Sequence, residues 1–143
     1  MFLNILVAVD GSPPAARALE EAADLARAEN SLLTLLTVAP PVSPLVSRAG
    51  VSTESMRDEL DEWATRVLRA AVAALPDDVA AHTLQRRGHA GPEIVAEVER
   101  GGYDLLVLGT RGRGRAQEGL LGSVNGYVHF HARVPVLSVP GPD

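Results

Sequence analysis

The order of apolar and amphipathic segments predicts a three-layer, doubly wound α/β domain with a five-stranded parallel sheet in the order 3-2-1-4-5. Short apolar runs alternate with helical patterns along the whole chain, and this alternation is typical of a parallel sheet with helices on both faces. The first and fourth runs are the most apolar, so they are expected at the centre of the sheet. Right-handed crossovers then leave few other arrangements. A chain of 143 residues is expected to form one domain, residues 1–143.

The first half of the chain is expected to form two strands and two long helices. Ser12 followed by Pro13 is typical of a helix N-cap and the first helical position, and Asn30 favours a helix end. Pro40, Pro41 and Gly50 indicate a surface loop before the second helix. The predicted elements are strands at Leu3–Val9 and Leu32–Val38, helices at Pro13–Glu29 and Thr53–Leu75, and the loop Ala39–Ser52.

Both helices carry an apolar face at helical spacing. Small residues on the first helix would let it approach the sheet closely, and Thr53 is expected to cap the second. The residues expected to be buried are Leu19, Ala22, Ala23 and Ala26 in the first helix, and Met56, Leu60, Trp63, Val67 and Ala71 in the second.

The second half of the chain repeats the alternation with shorter elements. The third strand is polar, which favours an edge position, and Pro92 is suited to a helix start. The predicted elements are strands at Val79–Arg87, Leu105–Leu108 and Val134–Val139, a turn at Gly88–Pro92, a helix from Pro92 to Gly101, and a last helix at Gly122–Ala132.

Composition excludes several classes of function. The net charge of −5 argues against general nucleic-acid or anionic-membrane binding. The chain has no cysteine, which excludes disulfides, thiol chemistry and cysteine-based zinc sites. No apolar run approaches the roughly 20 residues that span a bilayer. The N-terminal run is short and lacks a preceding basic region, so we interpret it as a strand rather than a signal peptide and expect a cytoplasmic protein.

The segment after the fourth predicted strand indicates an anion-binding site. Gly109 ends the apolar run, a loop rich in glycine and arginine follows, and Gly122-Ser123 opens the predicted last helix. Amide groups at a helix start have no intrahelical partner, and the helix dipole favours negative charge there. The arginines of the loop are Arg111, Arg113 and Arg115, and their guanidinium groups suit phosphate.

The predicted topology also indicates a binding site at the end of the fourth strand. The chain reverses its direction of travel between strands 1 and 4, and ligands of open α/β sheets bind outside the carboxyl ends of the strands at such a switch point. These two strand ends carry Asp10 and Gly109. We therefore expect a nucleoside as well as a phosphate at this edge.

The spacing of the glycines distinguishes between the known classes of nucleotide-binding motif. The chain lacks both G-x-x-x-x-G-K-[ST] and a G-x-G-x-x-G after the first strand. It has Gly109, two residues, Gly112, nine residues and then Gly122-Ser123, which resembles the ATP-binding signature of the universal stress protein family. The segments I-L-V-A-V-D-G-S from Ile5, D-L-L-V-L-G-T-R-G from Asp104 and V-P-V-L-S-V from Val134 also resemble that family, in order and over the whole chain.

The resemblance implies an ATP-binding stress-response regulator, with ATP, ADP or AMP as ligand and Mg²⁺ accompanying it. Asp10 would hydrogen-bond ribose hydroxyls or lie beside the adenine, and it is also the one candidate for Mg²⁺. Ala8 and Val9 would line the base pocket, and Val38 would meet adenine. Ribose and phosphates would lie against the glycine loop and the start of the last helix. The nucleotide-binding residues so implied are Ala8, Val9, Asp10, Val38, Gly109, Arg111, Gly112, Arg113, Gly122, Ser123, Val124 and Asn125.

Two other functions stay open at this point, a slow ATPase or self-phosphorylating enzyme and a nucleotide-free interaction module. No general base or catalytic lysine is evident near the loop, which disfavours an enzyme. The resemblance also implies a homodimer paired through Val134–Val139, and a protein partner whose identity the sequence does not reveal. Tyr127 and Trp63 are interpreted as packing residues, and His129 and His131 as poor joint metal ligands, because they lie on different sides of a helix.

Overall fold

The computed structural model describes Phe2, residues 4–110 and residues 119–142. The strands are β1 Asn4–Ala8, β2 Leu32–Ala39, β3 Ala81–Arg87, β4 Leu105–Gly109 and β5 Val136–Val139. The helices are α1 Pro13–Glu29, α2 Leu45–Arg48, α3 Thr53–Ala74, α4 Ala90–Gly101 and α5 Gly119–His131. Within these ranges, none of the helices combines the length and the apolarity that crossing a bilayer requires.

The predicted sheet is confirmed in strand order and in strand direction. The five strands run in the order β3-β2-β1-β4-β5, and every neighbouring pair is parallel. In the middle of the sheet Ile5 of β1 pairs with Leu33 on one side and with Leu105 on the other. The polar strand β3 occupies an edge, as its composition predicted.

Two hydrophobic clusters, one on each face, hold the three layers together. Helices α1 and α3 cover one face and contact alternate strand residues such as Val7 and Leu35. Helices α4 and α5 cover the other face, where Leu6, Leu106 and Val128 are fully buried. Because both faces are covered, the central strands β1 and β4 are apolar almost without interruption.

Helix α1 follows the prediction closely. The Ser12 side chain accepts a hydrogen bond from the Ala15 amide, and Asn30 ends the helix in the left-handed conformation, with φ 55° and ψ 47°. Its predicted buried face is confirmed, with Leu19, Ala22, Ala23 and Ala26 all at 5% exposure or less. The four small or compact side chains let the helix lie close to β1 and β4.

Helix α3 corrects two predictions. Ser52, and not Thr53, is its N-cap and accepts a hydrogen bond from the Ser55 amide. Of the predicted stripe only Ala71 is buried, together with Ala64 and Leu68, whereas Met56, Leu60, Trp63 and Val67 are half-buried. The buried residues Ala64, Leu68 and Ala71 all lie in the second half of α3. The first half of the helix therefore contributes no fully buried residue to the core.

Other corrections concern helix starts. The predicted loop Ala39–Ser52 contains the short helix α2, which has no side-chain cap and no buried residue. Helix α4 begins at Ala90, two residues before Pro92, because a proline is tolerated anywhere in the first turn. Helix α5 begins at Gly119 rather than Gly122, since leucines at the intervening positions are good helix formers. The remaining predicted ends differ by one or two residues.

A buried carboxylate fixes α4 against β3 and the segment before β4. The Glu97 side chain is 6% exposed and accepts hydrogen bonds from Arg86 at 3.2 Å and from Arg100 at 2.8 Å. Its second oxygen accepts a hydrogen bond from the Tyr103 hydroxyl at 3.0 Å. Such a charge is tolerated in the interior because it is paired and hydrogen-bonded.

Candidate functional site

A cavity of about 860 Å³ lies over the carboxyl ends of the strands. Its lining includes a residue that follows each strand, and these are Gly88 after β3, Pro40 after β2, Asp10 after β1, Gly109 at the end of β4 and Gly141 after β5. Neighbouring strands are about 4.8 Å apart, so the cavity crosses a sheet edge about 19 Å wide. The switch point between β1 and β4 lies within it, as the topology predicted.

Seven of the twelve residues implied by the resemblance meet in this cavity. They are Ala8, Val9, Asp10, Val38, Gly109, Ser123 and Val124. Arg111, Gly112 and Arg113 lie outside the described residues. Gly122 lies in α5. The family motif and the strand-end argument thus converge on one edge of the fold.

Asp10 follows β1 in the turn that leads into α1. One of its carboxylate oxygens accepts a hydrogen bond from the Ser12 amide at 2.9 Å, and Gly11 between them has φ +83°, a conformation that favours glycine. The side chain is exposed at the cavity. Its second oxygen makes no hydrogen bond among those found for the described residues, and it can accept one from a ligand hydroxyl.

Gly109 has a packing role that the motif alone does not reveal. A Cβ atom at this position would lie 2.5 Å from the carbonyl carbon of Pro14 and 2.7 Å from the amide nitrogen of Ala15. The end of β4 therefore touches the first turn of α1, which only a glycine permits. Because β4 and α1 are held this closely, the floor of the cavity at the switch point is rigidly defined.

The start of α1 offers a ligand few amide donors. Pro13 and Pro14 have no N–H group, and the Ala15 and Ala16 amides are already bonded to Ser12. The start of α1 is therefore poorly suited to bind an anion, and the sequence places its glycine loop on the α5 side of the cavity.

Ser123 and Asn125 on α5 differ from their predicted environments. Since α5 begins at Gly119, Ser123 is the fifth helical residue, and the prediction that Gly122-Ser123 opens the helix is wrong. It is exposed and lines the cavity. Asn125 is not among the residues found to line the cavity, and its side-chain oxygen accepts a hydrogen bond from the Ser138 hydroxyl at 2.7 Å. Asn125 thus joins α5 to β5.

Sequence reasoning missed the residues that form the outer walls of the cavity. Trp63 and Tyr127, interpreted as packing residues, both line it. Tyr127 does pack as well, because its ring lies against Gly91, where an added Cβ would be 2.8 Å from Cδ1. The cavity is also lined by Leu60, Pro40, Pro41 and His89. The sequence position of the two prolines and His89, within two residues of the ends of β2 and β3, could have indicated that they lie at this edge.

The electrostatic character of the lining is simple. Among the cavity residues that the structure describes, Asp10 is the only aspartate, glutamate, arginine or lysine. The described ranges also contain no group of three or more His, Asp or Glu side chains arranged to hold a metal ion. A metal at this edge would therefore take most of its ligands from water or from a bound molecule.

The fold and the cavity define a doubly wound α/β protein with a large cavity at its topological switch point. The pattern of the Universal stress protein family matches residues 1–140, and the chain belongs to that family. It is 32% identical to Universal stress protein YxiE of Bacillus subtilis over 147 aligned positions, which cover 97% of this chain and 99% of YxiE.

Solved structures show the same similarity in three dimensions. Universal stress protein UspA from Lactobacillus plantarum has a TM-score of 0.77 at 26% identity, with 96% of this chain and 97% of UspA covered. A universal stress protein in complex with cAMP has a TM-score of 0.64 at 25% identity, with 99% of each chain covered. That relative therefore carries an adenine nucleotide on the same fold.

Proposed function

We propose that this protein binds an adenine nucleotide at the β1/β4 switch point and acts as a stress-response regulator, with ATP as the principal ligand and ADP or AMP as related ones. The observation that carries the proposal is the convergence of the motif residues from β1, β2, β4 and α5 on a single cavity at the strand ends. The cAMP complex of a relative supports the choice of adenine.

The lining divides the ligand into an apolar end and a charged end. Ala8 and Val38 offer apolar contact to a base, and the free oxygen of Asp10 accepts a hydrogen bond from a ribose hydroxyl. The phosphates then extend past Gly109 toward Ser123. Mg²⁺ would arrive bound to the phosphates and keep several water ligands, with Asp10 as its one carboxylate partner.

A binding role is favoured over phosphoryl transfer. All 13 basic Lys/Arg residues of the chain are arginines, so the lysine that P-loop enzymes and kinases direct at their phosphates is absent. Arginine still binds phosphate in a bidentate manner. We therefore infer a sensor that holds nucleotide and passes its state to another protein.

Replacing Asp10 by alanine should weaken ATP binding about tenfold or more, because a hydrogen bond to a charged group contributes roughly 1.5–3 kcal/mol. Isothermal calorimetry with ATP and Mg²⁺ measures the change. The ATP affinity of Asp10→Asn should lie between those of the unmodified protein and Asp10→Ala. The asparagine side-chain oxygen can still accept a hydrogen bond from the Ser12 amide, but the negative charge is lost. Mass analysis of the denatured, freshly purified protein should also reveal co-purified adenine nucleotide.

The control for this prediction is Asp77→Ala, an exposed carboxylate in the α3–β3 connection at the opposite edge of the sheet. It changes the net charge by the same amount and should leave ATP affinity unchanged. Absence of co-purified nucleotide together with no calorimetric signal at millimolar ATP would reject the proposed function. Equal affinity of the Asp10→Ala protein would reject the ribose contact alone.

We further propose that two copies pair through β5. Strand β5 is an edge of the sheet, and the Pro135 and Val139 carbonyls accept hydrogen bonds from β4 and from the residue that follows it. Main-chain groups alternate along a strand, so those of Val136 and Ser138 are directed to the free edge. Leu137 on this strand is 40% exposed. An exposed apolar edge strand is a template for pairing.

Replacing Leu137 by glutamate should convert the dimer into a monomer, because two like charges would meet near the two-fold axis and lose an apolar contact. Light scattering during size exclusion gives the mass. Val72→Glu is the matched control, since Val72 on α3 is similarly exposed, at 45%, and lies away from β5. An unchanged dimer in the Leu137→Glu protein would place the interface elsewhere.

A further inference from the structure

The cavity has apolar walls from opposite layers of the fold, which gives it the form of a slot. Leu60 and Trp63 come from α3, which packs on the same face of the sheet as α1. Ala90 and Gly91 come from the start of α4, on the other face. Leu60 and Trp63 both lie in the first half of α3, where no residue is fully buried. A slot between apolar walls suits a flat aromatic group.

Charge gives the slot a direction. Among the described lining residues, Asp10 is the only aspartate, glutamate, arginine or lysine. The lining residues that come from the end of β2 to α3 are Pro40, Pro41, Leu60 and Trp63, and none of them offers a phosphate a compensating charge. An uncompensated phosphate would incur a large desolvation penalty there. The α3 end of the cavity therefore suits the base.

We propose that Trp63 stacks on the nucleobase from α3 and makes the site selective for purines over pyrimidines. This inference rests on the proposed nucleotide function and specifies which part of the ligand the site recognises. Indole and purine are both fused two-ring systems, so their overlap is larger than that of indole with a single pyrimidine ring. Stacking of a base on an aromatic side chain contributes enough to change affinity about tenfold.

The experiment uses the protein's own fluorescence, because Trp63 is the only tryptophan of the chain. ATP should change the Trp63 emission in a saturable manner. UTP should bind more weakly than ATP, by less than the tenfold effect of removing Trp63, because its single ring still stacks over a smaller area. Trp63→Leu should lower ATP affinity about tenfold in calorimetry, and it should change UTP affinity much less. Trp63→Phe should retain ATP affinity within about threefold, because an aromatic face remains.

The outcomes separate this inference from the function on which it rests. If the unmodified protein binds ATP but Trp63→Leu binds it equally well, the stacking role is wrong and the nucleotide proposal stands. Equal affinities for ATP and UTP, or ATP binding without a change in emission, would also contradict the stacking role alone. If the unmodified protein binds no ATP, both proposals fall. Thermal unfolding followed by circular dichroism identifies a Leu variant that fails to fold, in which case the Phe variant and the emission of the unmodified protein decide.

Discussion

Replacing Gly109 by alanine should lower the free energy of unfolding by about 2–3 kcal/mol, which is the upper part of the range for overpacking in a close-packed interior. The added methyl group would lie 2.5 Å from the Pro14 carbonyl carbon and 2.7 Å from the Ala15 amide nitrogen. Both contacts are with backbone, which cannot rotate away as a side chain can. Either α1 moves outward or β4 is displaced, and each of them belongs to the core.

The measurement is urea denaturation followed by circular dichroism, with Gly126→Ala as the matched control. Gly126 lies in α5, and nothing lies within 4 Å of an added Cβ. Its replacement should raise the free energy of unfolding by about 0.5–1 kcal/mol, because alanine favours the helix. The same substitution thus has opposite effects at two glycines near the site. A neutral Gly109→Ala change would mean that β4 and α1 are not in contact.

This pair also separates two reasons for the presence of a glycine in a binding motif. If Gly109 served only to let a phosphate approach the backbone, alanine there would weaken ATP binding and leave the free energy of unfolding unchanged. The contact with Pro14 predicts a loss of stability even without ligand. We therefore expect both effects at Gly109, and neither a binding loss nor a stability loss at Gly126.

The sheet could be predicted from the sequence because its signals are continuous and strong. The apolar runs of β1 and β4 indicate central strands, and the polar residues of β3 indicate an edge. Helix α2 could not be predicted, since its four residues bury nothing and lack a side-chain cap. The start of α5 was placed at Gly122 because a glycine followed by serine resembles a helix boundary, whereas the helix extends N-terminally to Gly119.

The lining of the cavity could be predicted where it depends on strand ends and not where it depends on tertiary geometry. Asp10 and Gly109 follow from the topology and the resemblance together, Val38 follows from the resemblance alone, and all three line the cavity. Trp63 fits the apolar spacing of α3 equally well as a core residue, and the three-dimensional structure is needed to place it at the cavity. Asn125 matches the family motif, but its partner Ser138 lies 13 residues away on β5, a contact that no local pattern reveals.

Replacing Glu97 by glutamine should lower the free energy of unfolding by about 2–3 kcal/mol, since the variant loses charge-assisted hydrogen bonds and leaves Arg86 and Arg100 without their anion. The Arg27–Asp78 ion pair provides the contrast. Both of its side chains are largely exposed, at 48% and 63%, so Asp78→Asn should change stability little. Urea denaturation at neutral pH compares the two variants. A similar effect in both would mean that burial of Glu97 contributes nothing.

The pH dependence of the Glu97→Gln effect tests its electrostatic origin. Burial by itself raises the pKa of Glu97, but the hydrogen bonds from Arg100 and Tyr103 and the nearby Arg86 outweigh it, so the pKa lies below the ordinary value of 4.5. A carboxyl group with a depressed pKa in the folded state stabilises the protein above its unfolded pKa. That stabilisation is lost as the pH falls from about 4.5 through the folded pKa.

The difference in the free energy of unfolding between the unmodified protein and Glu97→Gln should therefore be constant near neutral pH. It should shrink below about pH 4.5. The same network acts in the opposite sense at high pH. Burial, chiefly, raises the pKa of Tyr103 above 10.0, so the folded state favours the protonated phenol that donates to Glu97. Stability from Tyr103 is present below pH 10 and is lost as the pH rises further. A Glu97→Gln difference that persists unchanged at low pH would show that the loss arises from packing and not from charge.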